Sequence, residues 1–254
     1  MKLNDLKGKQ VHFIGIGGSG MSGLARIAIS HGIKVSGSDA SDSSVLDALR
    51  ALGATIFIGH DAKNIAGADL IVYSNAIKSQ NPERAAAVNS GKPEITRASA
   101  LAILMSESTS IAIAGTHGKT TTSSMATVAL QSAGVDPSFA IGGVLKSSGS
   151  NAHRGSGKYF IAEADESDGS FVAYHPHAAI ITNVEWDHVD HFESEAEVFK
   201  AFDDFVQTIS AFLVFCADDN GAKQVAAKAK VKTLRSEEHT SELQSHSDLV
   251  CRLL

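Results

Sequence analysis

The stretch Ala-Gly-Thr-His-Gly-Lys-Thr-Thr-Thr, residues 114–122, is the part of this chain that decides its fold. It follows an apolar, β-rich run at residues 109–113, and a helical pattern of apolar residues begins at Met125. In a strand–turn–helix unit of this kind, glycines let successive backbone N–H groups face an anion, and the helix N-terminus adds partial positive charge. The stretch therefore predicts a binding site for the phosphates of a nucleoside triphosphate.

Two side chains of this turn add to what its backbone offers an anion. Lys119 can reach the β and γ phosphates, and the Thr120 hydroxyl can bind Mg²⁺. The spacing is shorter than in Gly-x-x-x-x-Gly-Lys-Thr, because Ile113 stands where the first glycine of that motif falls. A chance glycine turn is the alternative, but the strand and the helix on either side favour a nucleotide site.

Length and composition limit the class of protein. A chain of 254 residues with 43% hydrophobic residues is long enough for one or two domains with substantial cores. The net charge of −6 argues against nucleic-acid binding. The two cysteines give no disulfide framework, and the sequence has neither an evident signal peptide nor a run long enough to span a membrane. We therefore expect a cytoplasmic protein.

A second glycine-rich motif follows the first predicted strand, residues 11–16. Gly-Ile-Gly-Gly-Ser-Gly at residues 15–20 matches Gly-x-Gly-x-x-Gly, which cradles a diphosphate. Asp39 ends the next strand, where an acid can meet a ribose hydroxyl. On its own this motif indicates a nucleotide-binding oxidoreductase, which is a competing interpretation, and a tight turn without a ligand is another.

Strand and helix signals alternate along the chain, which predicts an α/β fold with parallel sheets covered by helices. We expect a Rossmann-like first domain at residues 1–107 and an incomplete P-loop-type central domain at residues 108–234. Residues 235–254 resemble the translation of a sequencing-library adapter, and we expect them to be a non-native tail.

Two polar runs follow predicted strands of the central domain. Glu-Ala-Asp-Glu-Ser-Asp at residues 163–168 offers four carboxylates, one of which is expected to hold Mg²⁺ against the phosphates. Thr-Asn-Val-Glu-Trp-Asp-His-Val-Asp-His at residues 182–191 also follows a strand, and ligands bind at strand carboxyl ends in such sheets. A dinuclear metal hydrolase is a rival interpretation of these histidines, but Trp186 occupies the place of its first histidine. Solvated acids and a ligand-free loop are the plain alternatives.

Taken together, the turn at residues 114–122, the acidic run and the Thr-Asn-Val-Glu-x-Asp-His-x-Asp pattern resemble the Mur ligases of peptidoglycan synthesis. Within that family, the glycine-rich segment at residues 13–23, Ser-Gly-Ser-Asp at residues 36–39 and Ser-Asn-Ala-Ile-Lys at residues 74–78 look most like the member that joins L-alanine to UDP-N-acetylmuramate. The resemblance runs from about residue 9 to residue 234.

The resemblance implies three domains: one for UDP, a central ATPase, and a C-terminal one that helps to bind the amino acid. It also implies that the muramate carboxylate attacks the γ-phosphate of ATP to give an acyl phosphate, from which the amine of L-alanine displaces phosphate. A protein assists such phosphoryl transfer mainly by positioning and by neutralising charge. The first glycine motif would then hold the UDP diphosphate rather than NAD.

The resemblance assigns residues to both sites. Catalytic roles fall on Lys119 at the phosphates, on Asn183 near the γ-phosphate and on His188 at a second Mg²⁺. The expected ATP-binding residues are Gly115, Thr116, His117, Gly118, Lys119, Thr120 and Thr121. The expected magnesium ligands are Thr120, Thr121, Glu163 and His188. The expected UDP-sugar-binding residues are Gly15, Gly17, Gly18, Ser19, Gly20, Met21, Asp39, Ser74 and Asn75.

The chain departs from the family pattern in two places. The family usually has proline where Trp186 stands, and we expect the central sheet to be unfinished after about Leu234, with no C-terminal domain following it. We therefore expect no ligase activity from this 254-residue chain alone. A recycling ligase that joins a tripeptide to the same UDP-sugar, and a protein that only binds the UDP-sugar, are alternatives to the alanine ligase.

Overall fold

A computed structural model of the protein describes residues 1–167, 169–186, 192 and 194–236. The chain divides into two compact units, residues 1–107 with 144–154, and residues 108–143 with 155–254. Each unit is an α/β sheet, as the alternation of strand and helix signals predicts. The attachment of residues 144–154 to the first unit was not expected from the sequence.

The first unit contains a five-stranded parallel sheet in the order β3-β2-β1-β4-β5. Its elements are β1 (Gln10–Ile14), α1 (Ser19–Ser30), β2 (Lys34–Asp39), α2 (Ser44–Ala51), β3 (Thr55–Ile58), β4 (Leu70–Tyr73), α3 (Pro82–Asn89), β5 (Glu94–Thr96) and α4 (Arg97–Met105). Since β1 lies between β2 and β4, the loop after β1 opens beside the ends of both neighbouring strands.

The second unit is built on the seven-stranded order β12-β11-β10-β6-β9-β7-β8. The strands of this sheet and the helices between them are β6 (Thr109–Ala114), α5 (Lys119–Ser132), β7 (Ser138–Leu145), β8 (Ser150–His153), β9 (Tyr159–Glu163), β10 (Ala178–Ile181), α6 (Glu195–Val206), β11 (Phe212–Cys216), α7 (Asn220–Ala226) and β12 (Lys232–Ser236). β8 lies in segment 144–154, which belongs to the first unit.

Burial of the central strands explains why their sequences are mostly apolar. β1, β4, β6 and β10 are buried almost throughout, as expected for parallel strands covered on both faces. The helices begin at identifiable caps. For example, the Asn81 side chain accepts hydrogen bonds from the Glu83 and Arg84 amides, and Pro82 occupies the first turn of α3.

Some elements differ from the sequence-based expectation. β5, β8 and β12 were not expected from the sequence. Arg235 and Ser236, which we assigned to a non-native tail, belong to β12, while residues 237–254 lie outside the described residues. Among the residues described, no helix combines the length and the apolar character that crossing a bilayer requires.

Candidate functional site

The turn between β6 and α5, here called the phosphate loop (residues 115–121), has a backbone that requires glycine at two positions. Gly115 has φ +137° and Gly118 has φ +82°, which are conformations that residues with a side chain rarely adopt. A Cβ on Gly115 would also lie 2.0 Å from Thr182 Oγ1. Thr182 follows β10, the neighbour of β6, so the sheet order brings the two segments together.

Asn183 clamps the phosphate loop from the end of β10. Its backbone carbonyl accepts a hydrogen bond from Thr116 N (3.0 Å), and its Oδ1 accepts one from His117 N (2.8 Å). In return, its Nδ2 donates to His117 O (3.1 Å). The same segment continues along the loop, because the Glu185 amide donates to Thr116 Oγ1 (2.9 Å).

This clamp changes which amides can serve an anion. We expected the N–H groups of the whole turn to face phosphate, but those of Thr116 and His117 are already bonded to Asn183. The first hydrogen bond within α5 runs from Thr122 N to Gly118 O (2.9 Å). The amides of residues 118–121 therefore have no acceptor within the helix, and they are the donors that an anion can use.

Lys119 is held at the phosphate loop by three acceptors. Its Nζ donates to Gly115 O (2.7 Å), Thr116 O (3.0 Å) and Glu166 Oε1 (2.8 Å). The Glu166 side chain is 2% exposed. Burial raises the pKa of the Glu166 carboxyl, although the hydrogen bond from Lys119 acts in the opposite direction. Of the expected acids, Glu166 is thus the partner of the lysine.

Glu163 and Thr120 place two oxygen ligands side by side. Thr120 Oγ1 donates to Glu163 Oε1 (2.9 Å), and Glu163 Oε2 accepts from Gly142 N on β7 (2.7 Å). A Cβ on Gly142 would lie 2.6 Å from Glu163 Oε1, so glycine allows β7 to approach this carboxylate. A hydroxyl and a carboxylate beside a phosphate site are the donors that Mg²⁺ uses, and this pair fits such an ion.

Several expected site residues cannot be placed. His188 lies outside the described residues, as do Asp168, Asp187, Asp190 and His191. Thr121 lies in the first turn of α5 and is exposed. No group of three or more His, Cys, Asp or Glu side chains that could hold a metal ion occurs among the residues that are described. The magnesium assignment therefore stays a prediction.

The loop between β1 and α1, here called the diphosphate loop (residues 15–20), is held by the end of β2. The amides of Gly15 and Ile16 donate to Ser38 O (2.8 and 3.0 Å), and Gly17 N donates to Asp39 Oδ2 (2.8 Å). Asp39 stands at the expected strand end, and one of its oxygens is occupied in shaping the loop. Gly15 has φ +76°, which explains glycine at this position.

The first turn of α1 supplies the amides that remain for an anion. The first hydrogen bond of α1 runs from Ser22 N to Gly18 O (2.8 Å), so the amides of residues 19–21 have no acceptor within the helix. Ser74 and Asn75 follow β4 at the carboxyl edge of the same sheet. These expected UDP-sugar residues therefore lie at the sheet edge where the diphosphate loop opens.

Arg97 adds a positive charge that the sequence analysis did not identify. A Cβ on Gly20 would lie 3.2 Å from Arg97 Nη1, so the guanidinium lies against the first turn of α1. A cation near a helix N-terminus opposes the helix dipole, whereas an anion bound there would be stabilised by both. Arg97 begins α4, far from the glycine motif along the chain, and no local pattern marks it.

A buried carboxylate behind the diphosphate loop was also missed. Glu83 is fully buried and accepts from Ser38 Oγ (2.6 Å) and Asn64 Nδ2 (2.7 Å), with His12 Nε2 at 3.4 Å. Burial alone would raise the pKa of this carboxyl, but these hydrogen bonds outweigh it and lower the pKa to about 2. The sequence signal is weak, because its partners lie on three different elements.

Comparisons with known proteins agree with this geometry. The chain matches two family descriptions, "Mur ligase family, catalytic domain" over residues 10–109 and "Mur ligase middle domain" over residues 113–250. A UDP-N-acetylmuramate–L-alanine ligase from Renibacterium salmoninarum is 51% identical over 237 residues, which is 92% of this chain and 50% of that protein. The chain thus spans about half the length of the curated relatives it matches.

Two solved structures share the fold. UDP-N-acetylmuramate:L-alanyl-gamma-D-glutamyl-meso-diaminopimelate ligase from Neisseria meningitides has a TM-score of 0.83 and 32% identity, over 89% of this chain and 77% of that one. UDP-N-acetylmuramate-alanine ligase from Thermotoga maritima has a TM-score of 0.78 and 30% identity, over 90% of this chain and 53% of that one. The two glycine loops, the strand order around them and these matches lead to one conclusion: the chain belongs to the Mur ligase family.

Proposed function

We propose that the full-length protein joins L-alanine to the carboxylate of UDP-N-acetylmuramate at the expense of ATP, in peptidoglycan precursor synthesis. The relatives at about 50% identity carry the name of that alanine ligase. The observation that carries the proposal is the phosphate loop, which combines first-turn helix amides without a helix acceptor, Lys119 bonded to Glu166, and the hydrogen-bonded Thr120–Glu163 pair. We propose that this chain contains the ATP site and the UDP site.

The residues of the phosphate loop would act by position and charge. The amides of residues 118–121 would hold phosphate oxygens, and Lys119 would neutralise charge on the phosphates. ATP supplies the phosphoryl group that activates the muramate carboxylate, and Mg²⁺ supplies further positive charge when bound. Thr120 and Glu163 would hold the metal ion, and Asn183 would keep the loop in shape through the His117 peptide.

The diphosphate loop would bind the UDP portion of the sugar nucleotide. Its first-turn amides and the neighbouring Arg97 favour a dianionic group at this point. An oxidoreductase that uses the same loop for a dinucleotide would leave the phosphate loop without a purpose. A cytoplasmic location is a prediction that follows from this substrate.

A second candidate changes only the amine. The Neisseria structure named above carries a tripeptide ligase name and has a TM-score of 0.83 with this chain. The sequence relatives at about 50% identity favour L-alanine. Phosphate release by a protein of the relatives' full length, measured with L-alanine and with the tripeptide, separates the two candidates.

The nucleotide assignment can be tested with this chain. We expect Lys119→Ala to weaken binding of a non-hydrolysable ATP analogue with Mg²⁺ by at least about tenfold, because a charge-assisted contact is worth about 1.5–3 kcal/mol. Binding of UDP-N-acetylmuramate should not change. Calorimetry can measure both, and the single tryptophan, Trp186, offers a second signal, since it follows Glu185 in the clamp and is 54% exposed.

Lys223→Ala is the matched control, because Lys223 is an exposed lysine of the same unit on α7. It should leave both affinities as they are in the unaltered chain. Equal loss of both ligands in Lys119→Ala, or no loss of the ATP analogue, would contradict the assignment of the two loops.

A further inference from the structure

The ammonium group of Lys119 already uses all its donors, and the proposed function requires it to change partners. A lysine side chain carries three N–H donors and no acceptor. Its Nζ donates to Gly115 O (2.7 Å), Thr116 O (3.0 Å) and Glu166 Oε1 (2.8 Å). A phosphate oxygen can therefore accept a hydrogen bond from Lys119 only if one of these three acceptors is given up.

The charge of the three acceptors decides which of them gives way. Gly115 O and Thr116 O are neutral backbone carbonyls of the same loop, four and three residues before the lysine. Glu166 brings a carboxylate, and a phosphate that shared the same ammonium group would lie beside its negative charge. Like charges repel strongly where little water screens them. The carboxylate is therefore the partner that a phosphate replaces.

Glu166 is poorly placed to keep its charge once Lys119 has turned away. Its side chain is only 2% exposed, so water cannot make up for the lost cation. Burial raises the pKa of its carboxyl even with Lys119 in place, and the neighbouring Asp165 acts in the same direction, while Lys119 acts against them. The loss of the lysine and the arrival of a phosphate therefore both favour the neutral acid.

The acid proposed to hold Mg²⁺ is a different one. Glu163 ends β9, and its two oxygens accept hydrogen bonds from Thr120 Oγ1 (2.9 Å) and Gly142 N (2.7 Å). Glu166 comes three residues later and is bonded to the lysine instead. The acidic run thus supplies one carboxylate to the proposed metal ligands and another to Lys119, and the proposed function does not yet use the second.

We propose that Glu166 exchanges Lys119 for a proton when the nucleotide binds. The hydrogen bond from Nζ to Glu166 Oε1 is replaced by one from Nζ to a phosphate oxygen, and one proton from solvent forms an O–H bond on the Glu166 carboxyl. Glu166 is thus a positioning residue, which holds Lys119 at the phosphate loop until the phosphates arrive. The inference rests on the proposed ATP site and adds a proton to the binding reaction.

The experiment counts the protons taken up when the whole chain binds a non-hydrolysable ATP analogue with Mg²⁺. Calorimetry in two buffers with different enthalpies of ionisation gives this number, and it is repeated from weakly acidic to weakly basic pH. At the pH of greatest uptake, we expect the unaltered chain to take up about 0.5–1 proton more than Glu166→Gln, whose amide does not titrate. Taking the difference between two chains removes any proton exchanged by the nucleotide itself.

Glu195→Gln is the matched control, because it makes the same change at an exposed acid of the same unit, at the start of α6. It should take up as many protons as the unaltered chain.

The dependence of affinity on pH gives a second readout. The proposed exchange gives the Glu166 carboxyl a higher pKa in the bound state than in the free state. Between these two pKa values, the affinity for the analogue should fall by up to about tenfold per pH unit as the pH rises. Glu166→Gln should lack this part of the fall and should bind the analogue at least about threefold more tightly at basic pH, because no carboxylate competes for Lys119. If Glu166 only braced the lysine, Glu166→Gln would bind more weakly at every pH.

Lys119→Ala provides the comparison if Glu166→Gln does not fold. Without the cation, the buried Glu166 carboxyl would already carry its proton before the nucleotide arrives. The extra proton uptake should therefore be lost in this variant, together with part of the affinity.

The outcomes separate the inference from the function on which it rests. If the analogue binds and the unaltered chain takes up no more protons than Glu166→Gln or Lys119→Ala, the inference alone is overturned. Weaker binding to Glu166→Gln at every pH overturns it as well. An unaltered chain that does not bind the ATP analogue overturns the proposed nucleotide site, and the inference falls with it.

Discussion

The two glycine loops of this protein are shaped by similar hydrogen bonds, but the side chain that holds each loop differs in charge. In each, the early amides are bonded to the end of a neighbouring strand, and the first-turn helix amides remain for a ligand. Each loop is held by one backbone carbonyl and one side chain, which is the Asp39 carboxylate at the diphosphate loop and the neutral Asn183 amide at the phosphate loop. A neutral clamp adds no negative charge beside the triphosphate proposed for this loop, which is the more highly charged of the two proposed ligands.

The buried carboxylates behind the two loops differ in the direction in which their pKa values shift. Glu83 receives several hydrogen bonds, and its pKa falls to about 2. Glu166 has Lys119 as its partner, yet burial raises its pKa. Burial opposes the charge of both carboxyls, and at Glu83 the hydrogen bonds from His12, Ser38 and Asn64 outweigh it, whereas at Glu166 the bond from Lys119 does not.

The largest expected effect comes from adding one methyl group to each loop. Gly115→Ala would place Cβ 2.0 Å from Thr182 Oγ1 at a φ of +137°, and we expect it to lower the free energy of unfolding by about 4 kcal/mol. A Cβ in Gly17→Ala would lie 2.9 Å from Asp39 Oδ2 and 3.4 Å from Leu46 Cδ2, both on side chains that can shift, and we expect a loss of about 1 kcal/mol. Urea unfolding followed by circular dichroism measures the free energy of unfolding of both variants. Equal losses in the two variants would contradict the expected difference between the loops.

A smaller effect is expected from acid. The pKa of Glu83 is depressed in the folded state, so its ionised form stabilises the fold fully above the ordinary pKa of 4.5, and this stabilisation is lost as the pH falls toward 2. A shift of this size corresponds to about 3 kcal/mol. Urea unfolding at pH 5 and pH 2.5 should therefore show less acid destabilisation in Glu83→Gln than in the unaltered chain.

The control for this measurement is Glu195→Gln, a change at the exposed first residue of α6. Its acid profile should follow that of the unaltered chain. If Glu83→Gln also followed it, the hydrogen bonds to Glu83 would not be what stabilises its charge.

The smallest effect should come from exchanging the two clamps. Asn183→Asp loses the donor to His117 O and adds negative charge, so we expect about tenfold weaker binding of an ATP analogue and about 1–2 kcal/mol lower stability. Asp39→Asn keeps an oxygen for Gly17 N, and we expect less than about a threefold change in UDP affinity. Calorimetry can measure the affinity of both variants for both ligands. A larger loss of affinity in Asp39→Asn than in Asn183→Asp would contradict the roles that we assign to the two side chains.

The sequence predicted the fold class and both glycine loops, because strand–turn–helix patterns are local and periodic. It did not predict β8, whose four residues, Ser150–His153, are mostly polar and show no clean alternation. Nor did it predict that Asn183 would bind the His117 peptide across 66 positions of chain. Such contacts depend on which strands become neighbours, and that order is fixed by packing over the whole sheet.

Segment 144–154 has a consequence for how the first fold is completed. Asn151 donates to Ser19 O (2.9 Å), a Cβ on Gly23 would lie 2.9 Å from that of Ala152, and Arg154 bonds to Ser30 O, so the segment follows α1 along its length. During synthesis, α1 can make these contacts only after residues 144–154 have left the ribosome, which is later than the phosphate loop at residues 115–121. A truncated protein that ends at residue 107 would lack these contacts, and the side of α1 that packs against segment 144–154 would be exposed to solvent.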